Sequence, residues 1–125
     1  MKITPAINHS FVELYASDLK IVKDFYTKLG FKIVWEIDTY VVLKFDKSII
    51  AFFKENFPEP RGVGIEIVIQ VESQDIKDCY QKFLNLGIKI NEPLTLQDYD
   101  KWDFRLHDPL GYYLRFTEPE NILFC

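Results

Sequence analysis

The chain contains a partial copy of itself, and this constrains its fold more than any other feature. Lys23-Asp24-Phe25-Tyr26-Thr27-Lys28 is matched by Lys77-Asp78-Cys79-Tyr80-Gln81-Lys82. Leu29-Gly30-Phe31-Lys32-Ile33 is matched in turn by Leu86-Gly87-Ile88-Lys89-Ile90, with three extra residues before the second Leu-Gly. Two matches in the same order point to a duplicated unit. At 125 residues the chain has the size of one domain, large enough to bury a core without disulfides or a structural metal.

Each copy reads as strand, helix, strand. Residues 10–16 alternate as a strand. Ser17 or Asp18 then caps a helix whose apolar positions Leu19, Val22, Tyr26 and Leu29 follow helical spacing, and Gly30 stops it. In the second copy Ile65, Ile67, Ile69 and Val71 alternate with polar or smaller neighbours. Ser73 is the expected cap, Ile76, Cys79, Tyr80, Phe83 and Leu84 the buried stripe, and Gly87 the stop. Both glycines are expected at positive φ, the conformation that glycine adopts without steric cost.

Three strand-like runs follow the first helix, at 31–37, 39–45 and 48–54, separated by short polar breaks. The expected organisation is a first unit at 6–55, a Pro- and Gly-rich linker at 56–63, a second unit at 64–118 and a tail at 119–125. Within the second unit, 88–91 reads as a short strand and 92–100, with Pro93, as a loop. Residues 102–107 and 112–117 read as strands joined by the turn Asp108-Pro109-Leu110-Gly111. The apolar tail residues Ile122, Leu123 and Phe124 call for cover by the domain or by a partner chain.

Composition excludes several classes of function. Hydrophobic residues make up 48% and charged residues 27%, which rules out disorder, and no apolar run approaches the ~20 residues of a membrane-spanning helix. A net charge of -4 without a Lys/Arg cluster argues against nucleic acid and leans toward cationic ligands. Two cysteines, Cys79 and Cys125, make neither a disulfide framework nor a metal-binding spacing, and the N-terminal residues carry no export signal, so a cytoplasmic location is expected. Eleven Phe and seven Tyr suit core packing, and equally a sheet that lines an apolar ligand cavity. No glycine-rich phosphate loop, zinc-finger spacing or nucleophile motif is present.

The strand leading to Ser17-Asp18-Leu19, then Phe25-Tyr26, Leu29-Gly30 and finally Asp108-Pro109-Leu110-Gly111-Tyr112 together resemble the glyoxalase/bleomycin-resistance/extradiol-dioxygenase (vicinal oxygen chelate) superfamily over nearly the whole chain. The resemblance implies an α+β fold of two βαβββ units. Their eight strands form a curved mixed sheet, a cup with the helices outside and a ligand inside, and dimerisation is common. Metal-dependent members of that superfamily place His or Glu at cup-facing positions on the first and last strands of each unit. Here those positions fall on Phe11, Phe52, Glu66 and Arg115. Phe has no lone pair to donate and Arg is a permanent cation, so no metal and no other cofactor is expected. His9 lies two residues before Phe11 on the same strand face and is the one histidine in register with a lost ligand; otherwise His9 and His107 read as surface residues.

Strand parity then assigns Phe11, Glu13 and Tyr15 to the cup face, with Phe52 from the last strand of the first unit. Glu66, Val68 and Gln70, and Tyr113, Arg115 and Thr117, face the cup from the second unit. The candidate ligand-binding set is Phe11, Glu13, Tyr15, Phe52, Glu66, Gln70, Tyr113 and Arg115. Because the resemblance puts the first and last strands of a unit side by side, Glu66 and Arg115 are expected to form an ion pair where the enzymes hold a metal. Three readings stay open: a metal-independent binder of a small hydrophobic or cationic aromatic molecule, as in drug or metabolite sequestration; a metal-dependent lyase, isomerase or dioxygenase; and a non-catalytic dimeric interaction module with a filled cup. A homodimer is expected in each.

Overall fold

The computed structural model describes residues 6, 9–56 and 64–119. Its elements run β1 (Val12–Ala16), α1 (Leu19–Leu29), β2 (Lys32–Ile37), β3 (Tyr40–Phe45), β4 (Ser48–Lys54), β5 (Glu66–Gln70), α2 (Ile76–Asn85), β6 (Glu92–Leu96), β7 (Trp102–His107) and β8 (Tyr113–Thr117). This is the α+β architecture of two βαβββ units. The eight strands form two mixed sheets of four, ordered β1-β4-β3-β2 and β5-β8-β7-β6. In each, the first strand of the unit runs parallel to the last, and the remaining pairs are antiparallel. Most of the linker and the tail's Ile122, Leu123 and Phe124 lie outside the described residues. No described helix is long and apolar enough to cross a membrane.

Each sheet buries one face under its helix. Leu14, Val41, Leu43, Ile50 and Phe52 meet Val22, Tyr26 and Leu29 of α1, and Ile69, Phe104, Leu106, Leu114 and Phe116 meet Ile76 and Phe83 of α2. Asp18 caps α1, its carboxylate accepting the Lys20 amide at 2.9 Å. Both helices close in the same way: the Phe31 amide donates to the Tyr26 carbonyl and the Ile88 amide to the Phe83 carbonyl, with Gly30 and Gly87 at φ 123° and 77°. A Cβ at Gly30 would also approach Phe45 to 2.5 Å, so that position excludes larger residues twice over.

These shared ends revise the repeat. The equivalent pairs are buried Leu19 with Ile76 and Tyr26 with Phe83, and the helix-ending Gly30 with Gly87, so the Lys-Asp-x-Tyr-x-Lys match sits three residues out of structural register. The extra residues of the second copy therefore lie between β5 and α2, not after the helix. Asp75, not Ser73, occupies the cap position of α2, and its side chain makes no capping hydrogen bond; Leu84 is exposed, and Leu86 takes its place against the core. The sixth strand is also displaced, covering Glu92–Leu96 instead of 88–91. Pro93 is tolerated there because β6 is an edge strand, where a missing N–H is left unpaired at no cost, and the pairing with β7 is irregular between Glu92 and Thr95.

Polar residues bolt the two units together. Tyr26 of α1 donates to Asp108 Oδ2 at 2.7 Å, while Asp108 Oδ1 accepts the amides of Leu110 and Tyr112, both at 2.9 Å. The Tyr112 hydroxyl in turn donates to the Tyr15 carbonyl and accepts its amide, satisfying the free edge of β1. Burial pushes the Asp108 carboxyl above the usual Asp range, and the Tyr26 and backbone hydrogen bonds pull against that rise. The turn motif Asp108-Pro109-Leu110-Gly111-Tyr112 is thus also the joint between the copies.

Candidate functional site

The face of each sheet that turns away from its helix is open, and strand alternation decides what stands on it. On the first sheet that face carries Glu13 and Tyr15 of β1, Ala51 and Phe53 of β4, Tyr40 and Val42 of β3, and Trp35 of β2. One ring from each strand forms a row. Tyr15 meets Phe53 at 6.2 Å between centroids, Phe53 meets Tyr40 at 6.4 Å, and Tyr40 meets Trp35 at 6.0 Å, all edge-on. The Tyr40 hydroxyl donates to Glu13 at 2.8 Å; burial, and then Glu13, raise the Tyr40 pKa. Tyr15 is 42% exposed and Trp35 54%, so the row presents aromatic surface to solvent.

The matching row on the second sheet is ionic. Glu66 of β5, Arg115 of β8, Arg105 of β7 and Glu92 of β6 cross the four strands in order. Arg105 and Arg115 are direct cross-strand partners, an arrangement that is repulsive unless carboxylates intervene. Asp103, fully buried, is one of those carboxylates. It lies 3.5 Å from Arg105, accepts Gln97 at 2.9 Å and takes a hydrogen bond from Tyr99. Arg105 also pairs with Glu66 at 3.2 Å and Glu92 at 3.3 Å. Although burial works against its charge, Tyr99, Glu66 and Asp103 together hold its guanidinium above the ordinary arginine value. Burial, and then Asp103, raise the Tyr99 pKa.

The expected pair of Glu66 and Arg115 is present, at 3.4 Å. It is the weaker half of the row, because Arg115 Nε is shielded from solvent without a hydrogen bond, while Arg105 makes the closer contact to the same carboxylate. The Arg115 guanidinium also lies 5.7 Å from the Tyr99 ring centroid. Tyr113 stacks on His107 at 4.5 Å, and Gln70 stands exposed at the end of β5.

Glu13, Tyr15, Glu66, Gln70, Tyr113 and Arg115 stand on the open faces as strand parity predicts. Phe11 is 49% exposed just before β1. Phe52 is the correction. It is fully buried on the helix side, against Tyr26 and Tyr112, because it pairs with Leu14 in the parallel ladder and partners share a face. Its neighbours Ala51 and Phe53 face outward instead. Residues on the central and far strands, namely Trp35, Tyr40, Phe53, Asp103 and Arg105, escaped the sequence reading. The alternation of Asp103, Arg105 and His107 with Phe104 and Leu106 carried the signal for the second sheet.

The positions expected to hold metal ligands do not fit a divalent ion: Phe52 faces the helix side, Phe11 offers no donor, and the carboxylate of Glu66 is shared by two guanidinium groups, one of them Arg115 itself. Among the described residues no three His, Cys, Asp or Glu side chains are grouped to hold a metal.

Comparison with known proteins agrees with this architecture. A bleomycin-binding protein solved in complex with bleomycin superposes with a TM-score of 0.78 at 22% identity, covering 91% of this chain and all of the other. The bleomycin resistance determinant encoded on transposon Tn5 gives 0.79 at 22% identity, covering 91% and 99%. A glyoxalase/bleomycin resistance protein/dioxygenase from Nocardioides gives 0.76 at 18% identity, covering 93% and 86%. No curated protein sequence matches the chain. Over residues 6–116, the two βαβββ units and their joint match the family model of the Glyoxalase/Bleomycin resistance protein/Dioxygenase superfamily, and the chain belongs to that superfamily.

Proposed function

We propose that the chain is a metal-independent, cytoplasmic small-molecule-binding protein that sequesters an apolar or cationic aromatic compound without transforming it. The observation that carries this reading is the row of Tyr15, Phe53, Tyr40 and Trp35, one ring from each strand of the first sheet, with the Glu13 carboxylate beside it. Aromatic faces attract flat apolar ligands and cations, and a carboxylate at the row's margin adds a counter-charge. Phe11 extends this wall, in which Phe53 stands in place of the buried Phe52. Glu66, Arg105 and Arg115 supply polar anchors, with Tyr113 and Gln70 at their margin. The chain acts as a homodimer, because the edge strand β2 is exposed along its whole length, with Ile33, Val34 and Ile37 as apolar surface that a second copy would cover. The similarity to a protein solved with bleomycin bound supports the ligand class.

The test is a titration of cationic aromatic compounds, bleomycin among them, with and without a chelator. Binding is expected to survive the chelator and to weaken about tenfold in Trp35→Ala, a loss of about 1.4 kcal/mol. Binding that disappears with the chelator overturns the metal-independent reading. Light scattering that shows only a species of 14.8 kDa overturns the dimer.

A further inference from the structure

We propose a second binding site, for an amphipathic cation, in the cleft between the two units on the helix side of the second sheet. The cleft has a volume of about 770 Å³, within the ~300–1,000 Å³ range of small-molecule sites. It is separate from the open faces: Ile69 and Phe116 reach it from the side of β5 and β8 that packs under α2, and Leu29 and Phe45 close it from the first unit. Phe83 of α2 completes the apolar lining.

The rim fixes the charge of the occupant. Asp46 of the β3–β4 turn and Glu72, Asp75 and Asp78 of the second unit stand against Lys47 and Lys82, an excess of two negative charges. Among the described residues none of these four carboxylates forms an ion pair. Asp75 is the telling residue. Aspartate at a helix cap ordinarily accepts a backbone amide of the first turn, but here the Asp75 backbone is helical and its side chain makes no capping bond, so its carboxylate is uncommitted beside the cleft. Burial pushes the Cys79 thiol up to about 11, so it stays protonated and uncharged at neutral pH beside the carboxylates.

The proposal is tested by fluorescence anisotropy with rhodamine 6G, an aromatic monocation, and fluorescein, an anion of similar size. Both are titrated into the full chain carrying Tyr15→Ala and Trp35→Ala, which removes the two exposed rings of the aromatic row. Rhodamine 6G is expected to bind this variant and fluorescein is not. Adding Asp75→Asn and Asp78→Asn, both exposed, should weaken rhodamine binding about tenfold. Adding Ser48→Trp, which fills the cleft, should weaken it at least as much. Loss of all binding in the aromatic double variant overturns the second site while leaving the open-face reading intact. Binding that survives both cleft changes overturns it as well. A fall in sedimentation mass caused by Ser48→Trp would assign the cleft to contact between copies of the chain and overturn it in a third way.

Discussion

The two open faces are built on equivalent strands in equivalent order, yet one carries a row of rings and the other a row of charges. The aromatic row requires no charge behind it: its four rings meet edge to edge, and its outer members Tyr15 and Trp35 are already half exposed. The ionic row cannot stand alone. Two arginines placed directly opposite each other on β7 and β8 need carboxylates between them, and Glu66 and fully buried Asp103 supply them. Duplication therefore preserved the scaffold and left the faces free to diverge. The aromatic face leaves its outer rings open to solvent, whereas the ionic face is organised around its own neutralisation.

The largest expected effect that separates them is on stability. Asp103→Ala should destabilise the protein by about 3 kcal/mol, because it leaves Arg105 part-buried and underpaired and strips Tyr99 and Gln97 of their acceptor. Glu13→Ala on the other face should cost less than about 1 kcal/mol, since it removes one exposed hydrogen bond. Urea unfolding of the two variants measures both. Equal losses would mean that the faces do not differ in the way their contacts indicate.

A second, smaller difference lies within the ionic row. Arg105→Leu should cost about 2 kcal/mol, because Arg105 serves three carboxylates and its side chain is only 15% exposed, and Arg115→Leu about 1 kcal/mol. Losing Arg115 alone does not strand Glu66, because Arg105 remains 3.2 Å from that carboxylate. In double-mutant cycles the coupling of Glu66 to Arg105 should therefore exceed its coupling to Arg115. The reverse ranking would return the central role to Arg115.

How far such a face can be read from sequence depends on the strand. Alternation placed the candidate residues of β1, β5 and β8 on the open faces, because Leu14 and Ala16, Ile67 and Ile69, and Leu114 and Phe116 point to the core at alternate positions and set the parity. It failed at β4, where Ile49, Ile50, Ala51, Phe52 and Phe53 are all apolar and only pairing with Leu14 reveals which of them turns inward. Pro93 hid β6, since a proline argues against a strand until the strand is known to lie at an edge. The Lys-Asp-x-Tyr-x-Lys match indicated a true duplication from a register that the helices do not share. The rows themselves were out of reach, because they join residues from four strands whose neighbours are fixed by crossover and not by sequence order.

The smallest expected effect compares one marginal contact on each face, and salt separates them. Tyr40 with Glu13 on the first face is a hydrogen bond between a neutral hydroxyl and a carboxylate; Arg105 with Glu92 on the second is an ion pair at 3.3 Å whose carboxylate is 54% exposed. At low ionic strength the two contacts should be alike, each contributing about 0.5 kcal/mol in a double-mutant cycle made with Tyr40→Phe and Glu13→Gln, or with Arg105→Leu and Glu92→Gln. Near 1 M salt the screening length falls to ~3 Å, comparable to the separation of the charges. The coupling of Arg105 to Glu92 should then fall by about half or more, while that of Tyr40 to Glu13, which pairs no two full charges, should change little. Unfolding curves at both salt concentrations decide the matter. If both couplings fall together, the first face holds an electrostatic contribution that its neutral rings do not account for; if neither falls, Glu92 is shielded more fully than its exposure implies.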